Sequence, residues 1–190
     1  QFDEIGGLAV SPVTGHLAIA DQDAHWIQHF DVSVPGSPVF TGASGEVNDW
    51  TFNTSEQIAF AADGTLYVAD RSSSRVARVA TDGTISVTGQ QGSGPGQFSH
   101  PGGVSVDASG HVFVADTDNG RMQVLDASLT YLTEWGSGEL GRPCGVAAYR
   151  DGATDYLYVL DRGRDAIPRQ VRKYTAAGVL VAAWDATGTN

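Results

Sequence analysis

Four aspartates stand at the most regular spacing in this sequence. Asp21, Asp70, Asp116 and Asp161 each close a short apolar run, such as Leu17-Ala18-Ile19-Ala20 before the first and Val112-Phe113-Val114-Ala115 before the third, at intervals of 49, 46 and 45 residues. Carboxylates can act as general acid and base or hold a hard cation. Those tasks need a few groups converging on one point, whereas a residue repeated once per period serves the period itself. At the end of a buried strand an Asp accepts backbone N–H bonds from a turn and pairs with a guanidinium. Arg75 and Arg121 follow Asp70 and Asp116 at the same short distance. The four aspartates and these two arginines are therefore expected to be structural residues of a repeat.

The other candidates are isolated. Asp116-Thr117-Asp118-Asn119-Gly120 alternates oxygen ligands as a calcium loop does. Gly120 stands where another ligand is needed and Arg121 where that loop needs its Gly, so a polar turn is expected. Zinc requires three or four ligands within about 2 Å of the metal. His16 and His111 hold equivalent positions of the repeat, and His25 and His29 lie on or beside one strand, so no metal site is assigned. Gly92-Ser93-Gly94-Pro95-Gly96 is not followed by a helix whose N-terminus would face a phosphate, and it reads as a linker. Cys144 is the only cysteine, which excludes an internal disulfide, and it reads as a small core residue. Asn53-Thr54-Ser55 fits a glycosylation sequon, relevant only in a eukaryotic secretory pathway. Arg162, Arg164, Arg169, Arg172 and Lys173 form a basic cluster, expected along a solvated, partly salt-bridged edge. No catalytic residue and no cofactor is assigned.

The elements that carry these residues read as strands. In each period an apolar run comes first, at 7–10, 57–60, 103–106 and 145–148, followed by a turn rich in Asp and Gly such as Asp63-Gly64 or Asp151-Gly152. The run ending in Asp is second, and its near-continuous hydrophobicity predicts burial on both faces. Third strands are expected at 26–30, 75–79, 121–125 and 171–174, and fourth strands at 85–87, 131–135 and 180–184. In the first copy Pro35, Gly36 and Pro38 predict an irregular loop in place of the fourth strand. No stretch combines helical periodicity with caps. A period of this length is one four-stranded propeller blade, so the fold class is all-β: a β-propeller of four-stranded antiparallel blades, approximately 1–47, 48–96, 97–140 and 141–190, in one domain or segment.

The copies resemble the NHL repeat. The third matches best, through Pro101-Gly102-Gly103-Val104, Val112-Phe113-Val114-Ala115-Asp116 and Asn119-Gly120-Arg121-Met122-Gln123-Val124, and Gly89 to Phe98 resembles the linker between such repeats. The resemblance implies a propeller, usually of six blades, and leaves function open, since propellers host enzymes, scaffolds and receptors. Amidating lyases, an enzyme branch similar to this family, carry metal-binding histidines near the start of the first strand; the corresponding places here are Gly6, Gly102 and Cys144, which argues against a lyase of that type. Gln1-Phe2 matches Gln97-Phe98, and Trp184 stands where Trp135 does. Three arrangements follow: a part of a larger propeller, a closed four-bladed ring, or an arc completed by another chain. If the stack is open, Leu8, Val10, Leu17 and Ile19 are expected to be exposed at one end and Val146, Leu157 and Val159 at the other.

Charge narrows the partners. Formal net charge is −11 with a pI near 4.6, which disfavours nucleic acid and an anionic membrane surface. The leading expectation is a non-catalytic binding or scaffolding propeller, extracellular or periplasmic, engaging a protein or glycan through loops such as 33–50 and 162–170. The alternatives are a metal-dependent lyase or hydrolase with a central-channel site, and an RNA-binding propeller using a basic face. Self-association or completion by further blades is also expected.

Overall fold

The computed structural model describes residues 4–22, 25–44, 52 and 55–185. These residues fold as four antiparallel sheets, each made of four strands consecutive in sequence. Blade 1 comprises β1 (Ile5–Val10), β2 (Leu17–Asp21), β3 (Trp26–Asp31) and β4 (Val39–Ser44). Blade 2 comprises β5 (Ser55–Phe60), β6 (Leu66–Asp70), β7 (Arg75–Val79) and β8 (Ile85–Thr88). Blade 3 holds β9 (Pro101–Val106), β10 (Val112–Asp116), β11 (Arg121–Leu125) and β12 (Tyr131–Trp135). Blade 4 holds β13 (Pro143–Asp151), β14 (Thr154–Asp161), β15 (Gln170–Thr175) and β16 (Leu180–Asp185). Blade 1 differs from its sequence reading: the loop with Pro35 and Pro38 does not replace the fourth strand but precedes it, and β4 pairs with β3 from Ile27 to Asp31.

Hairpin turns are set by side-chain acceptors. Asp63 Oδ1 accepts the Thr65 N–H at 2.9 Å, and Asp126 Oδ1 accepts those of Ser128 and Thr130, each at 2.8 Å. These bonds favour the carboxylate and hold both side chains below the usual Asp range.

Alternation along the second strands builds the stack. Counting back from the Asp, the fourth and second residues face the preceding blade, and the third and first face the following one. Leu66 and Val68 thus pack with Ala18, Ala20 and Ile27 of blade 1. Tyr67 and Ala69 pack with Val104, Val112 and Val114 of blade 3. Phe113, Ala115 and Met122 pack with Val146, Leu157, Val159 and Tyr174 of blade 4. Among the described residues these are three cores for four blades, so the molecule is an arc. Its leading face, on blade 1, exposes Leu8 and Val10 (66% and 57% exposed) beside half-buried Leu17 and Ile19. Its trailing face, on blade 4, exposes Leu160 and Val171. The expectation for the second end is therefore off by one residue: Val146, Leu157 and Val159 are buried against blade 3, because they share the parity of the face that meets the preceding blade.

The first strands line the axis and converge tightly. Gln57, on β5, donates from Nε2 to the Val146 carbonyl at 2.8 Å, and its Oε1 accepts the Val146 N–H at 3.2 Å. The side chain thus ties blade 2 to blade 4 across β9. Gly103 makes room, since a Cβ there would lie 2.7 Å from Gln57 Oε1.

Candidate functional site

All four repeated aspartates end their strands at one mouth of the arc. Cross-strand register pairs Asp21 with Ile5, Asp70 with Ser55, Asp116 with Pro101 and Asp161 with Pro143, where the axial strands begin. Asp116 has the fullest set of partners. It accepts the Ser99 N–H at 2.7 Å and side-chain bonds from Asn119, Arg121 and Gln123 at 2.8 to 3.0 Å. Arg121 extends the network to Glu134 and to the carbonyls of Gly94 and Gln97. Asp161 accepts three backbone N–H bonds, from Gly141, Arg142 and Gly163, and Arg172 Nε lies 3.7 Å away. Asp70 pairs with Arg75 at 2.7 Å, and Asp21 accepts from Gln28 at 2.9 Å.

The glycine linker is already saturated. Its Gly92, Gly94 and Gly96 N–H groups go to Phe98 O, Gln97 Oε1 and Gln123 Oε1, leaving none of the three for a phosphate. The calcium-like run is likewise committed: Asp116 and Asn119 bond each other, and Asp118 faces cations rather than acting with them.

Asp118 is the hub of the mouth. His100 Nδ1 lies 2.9 Å from Oδ2, Arg142 Nη2 donates to Oδ1 at 2.6 Å, and Arg164 Nη1 donates to the Asp118 carbonyl at 3.1 Å. Beside it, Arg71 pairs with Glu56. Thr117 Oγ1 is buried without a hydrogen-bond partner. A Cβ on Gly102 would lie 2.7 Å from Thr117 Oγ1, 3.1 Å from Glu56 Oε2 and 3.2 Å from the Cys144 carbonyl. Three oxygens thus crowd Gly102 too closely for a side chain there, with an arginine rim on the blade 4 side. Burial pushes the Cys144 thiol up, and its Sγ is spent on the Leu160 carbonyl at 3.5 Å.

Sequence reasoning missed Glu56 and Gln57. They stand in columns occupied elsewhere by Gly6, Gly102 and Cys144, and by Gly7, Gly103 and Gly145. A charged or amide side chain in a column of small residues was the available signal. The basic cluster separates: Arg164 joins Asp118, Arg172 turns to Asp161, and Lys173 lies 3.8 Å over the Tyr156 ring on the trailing face. Histidines separate too, with His111 on Asp107 at 2.9 Å and His25 against the Phe52 carbonyl at 3.1 Å. Among the described residues no group of three or more His, Cys, Asp or Glu could hold a metal. Residues Gln1, Phe2, Asn53 and Thr54, and 45–50 of the first variable loop, lie outside the described residues.

Residues 98–125, spanning the linker end and the first three strands of blade 3, match the NHL repeat. That segment is an NHL repeat, carried on a β-propeller fold. It is similar to human NHL repeat-containing protein 3, at 32% identity over 99 residues, half of this chain and 28% of that protein. Among solved structures it superposes on the WD40 repeats of RRP9 with a TM-score of 0.72 at 15% identity, covering 95% of this chain and 51% of that one. It superposes on a Kuenenia stuttgartiensis hydrazine synthase chain with a TM-score of 0.71 at 19% identity, covering 96% and 50%. At these identities the likeness shows the fold alone. The chain spans less than a third of its human relative and about half of each solved chain.

Proposed function

We propose that this chain is a non-catalytic protein-binding segment that takes an acidic stretch of its partner at the mouth around Asp118. The observation that carries the reading is the rim of that mouth. Arg142 and Arg164 are fixed on Asp118 from two different loops while leaving 42% and 44% of their side chains exposed. Arg162 and Arg169 are exposed on the same loop as Arg164, with no ion pair among the described residues. Fixed guanidinium groups lose little further entropy on meeting carboxylates and can bind them in bidentate fashion. The net charge of −11 does little to repel an acidic segment docked at the mouth, because at physiological salt charges farther than the Debye length of about 8 Å are largely screened.

A labelled deca-glutamate peptide tests this. It is expected to bind with an affinity that falls steeply with salt and drops at least tenfold in an Arg162→Ala, Arg164→Ala double variant. Absence of peptide binding by the folded wild type, with capture of a neutral oligosaccharide instead, would overturn the reading in favour of a glycan partner.

A further inference from the structure

The three interfaces between blades are not filled alike. At the third position before the repeated Asp, the residue aimed at the following blade is Tyr67 in blade 2 and Phe113 in blade 3, both buried; in blade 1 it is Ala18. Tyr67 spans the interface between blades 2 and 3, and its hydroxyl donates to the Ala127 carbonyl at 2.8 Å in the β11–β12 turn. Leu129 of that turn, buried at φ 67°, fills the rest. In blade 2 the corresponding turn residues are Thr81 and Gly83. Gly83 adopts a similar φ of 84°, and a Cβ there would meet nothing within 4 Å. Two side chains that close one interface are thus missing from its neighbour.

The result is a cleft of about 500 Å³ between blades 1 and 2. Phe60, Leu66 and Val79 supply an apolar wall on blade 2, and His16, His29 and Ser44 face it from blade 1; among the described residues no Asp, Glu, Lys or Arg lines it. His29 Nε2 lies 2.9 Å from Ser44 Oγ, which leaves Nδ1 as the ring's remaining hydrogen-bonding atom. Burial, reinforced by His16, holds the His29 imidazole below its ordinary range, so it is neutral at pH 7. Apolar cavities of about 150 Å³ already take benzene, and small-molecule sites run from about 300 to 1,000 Å³.

We infer that the cleft between blades 1 and 2 is a binding site for a neutral aromatic small molecule with a single hydrogen-bonding group, of the phenol or indole class. The ring takes the place that Tyr67 fills in the next interface, against Phe60 and Leu66. Its hydroxyl or N–H meets the imidazoles of His16 and His29. A carboxylate or ammonium on the ligand would be excluded, since among the described residues no opposite charge lines the cleft to offset its desolvation.

The test is titration of the wild-type chain with p-cresol, with indole and with p-toluate, followed by NMR. Saturable binding of p-cresol and indole is expected, with intermolecular NOEs to Leu66 and Phe60 and shifts of the His16 and His29 ring signals, and at least tenfold weaker binding of p-toluate. Ala18→Tyr should fill the cleft from within and abolish binding. Should that variant fail to fold, Thr81→Trp, on an exposed turn, should block the mouth of the cleft and weaken binding at least fivefold. No saturable p-cresol binding, NOEs to other residues, or undiminished binding in a folded Ala18→Tyr or Thr81→Trp variant would each overturn the inference.

Discussion

Blade 1 and blade 3 are written in one pattern and live in different surroundings. In blade 3 the second and third strands are buried at every position, because blades 2 and 4 cover both faces. In blade 1 only Ala18, Ala20 and Asp21 of the second strand are buried, and Leu8 and Val10 on the leading face are more than half exposed. Asp116 sits in a closed network of a backbone N–H and three side chains between two covering blades, whereas Asp21, which accepts from Gln28, stands in a blade that packs on one face only among the described residues. The same motif therefore carries different energies in the two blades. What a repeat residue contributes is set by its neighbours, as expected of a quasi-one-dimensional stack.

The largest test of that contrast is Asp116→Ala against Asp21→Ala. Removing Asp116 leaves the Arg121 guanidinium, 5% exposed, without its main counter-charge, and stability should fall by about 4 kcal/mol. Asp21→Ala should cost less, since among the described residues blade 1 packs against a neighbour on one face only, and Asp118→Ala, in the part-exposed mouth, should also cost less than Asp116→Ala. Urea denaturation of the variants measures the differences; equal losses at Asp116 and Asp21 would break the comparison.

Next in size, Leu125→Ala should cost about 3 kcal/mol, since the side chain is fully buried between blades 2 and 3. Leu8→Ala should lie within about 0.5 kcal/mol of wild type and reduce binding of an apolar dye. A loss at Leu8 as large as that at Leu125 would show the leading face to be covered in solution.

The smallest expected effect concerns pH. His29 binds protons less readily in the folded chain than in the unfolded one, so the unfolded state takes up more protons as pH falls. The stability due to neutral His29 is complete above the unfolded value of 6.5 and is lost as pH drops below it toward the depressed folded value. His29→Gln should flatten the decline in melting temperature as pH falls below 6.5; an unchanged decline would show that His29 is not its source.

The strand plan was legible because local signals agreed at each turn. Asp63, Asp107 and Asp126 cap hairpins with their own carboxylates, and apolar runs alternate with them at one period. The fold class and the positions of most strands followed from these features alone. β4 was missed because Pro35 and Pro38 mask a strand whose Val39 and Phe40 are exposed and so show no burial pattern. The faces of blade 4 were misassigned because alternation tells which residues share a face, not which face meets which neighbour; that depends on the sense of stacking. The mouth was hidden for another reason. His100, Asp118, Arg142 and Arg164 come from separate loops, and only the packing of blade 4 against blade 3 brings them to one carboxylate.

The unlike ends of the arc have a directional consequence. The leading face presents aliphatic side chains from Leu8 to Ile19, and the trailing face presents Tyr156, Tyr158 and Lys173 with Trp184 stacked on Tyr158. A surface of one kind cannot meet its own copy about a two-fold axis and reproduce the contact that blade makes with blade. Growth by that contact is polar, like that of a filament: each added blade hides one end and presents another of the same sense. The interface therefore cannot count blades. Only the curvature set at the axis, where glycines let the first strands crowd together and Gln57 reaches past one of them, can end the series, by bringing the last face round to the first.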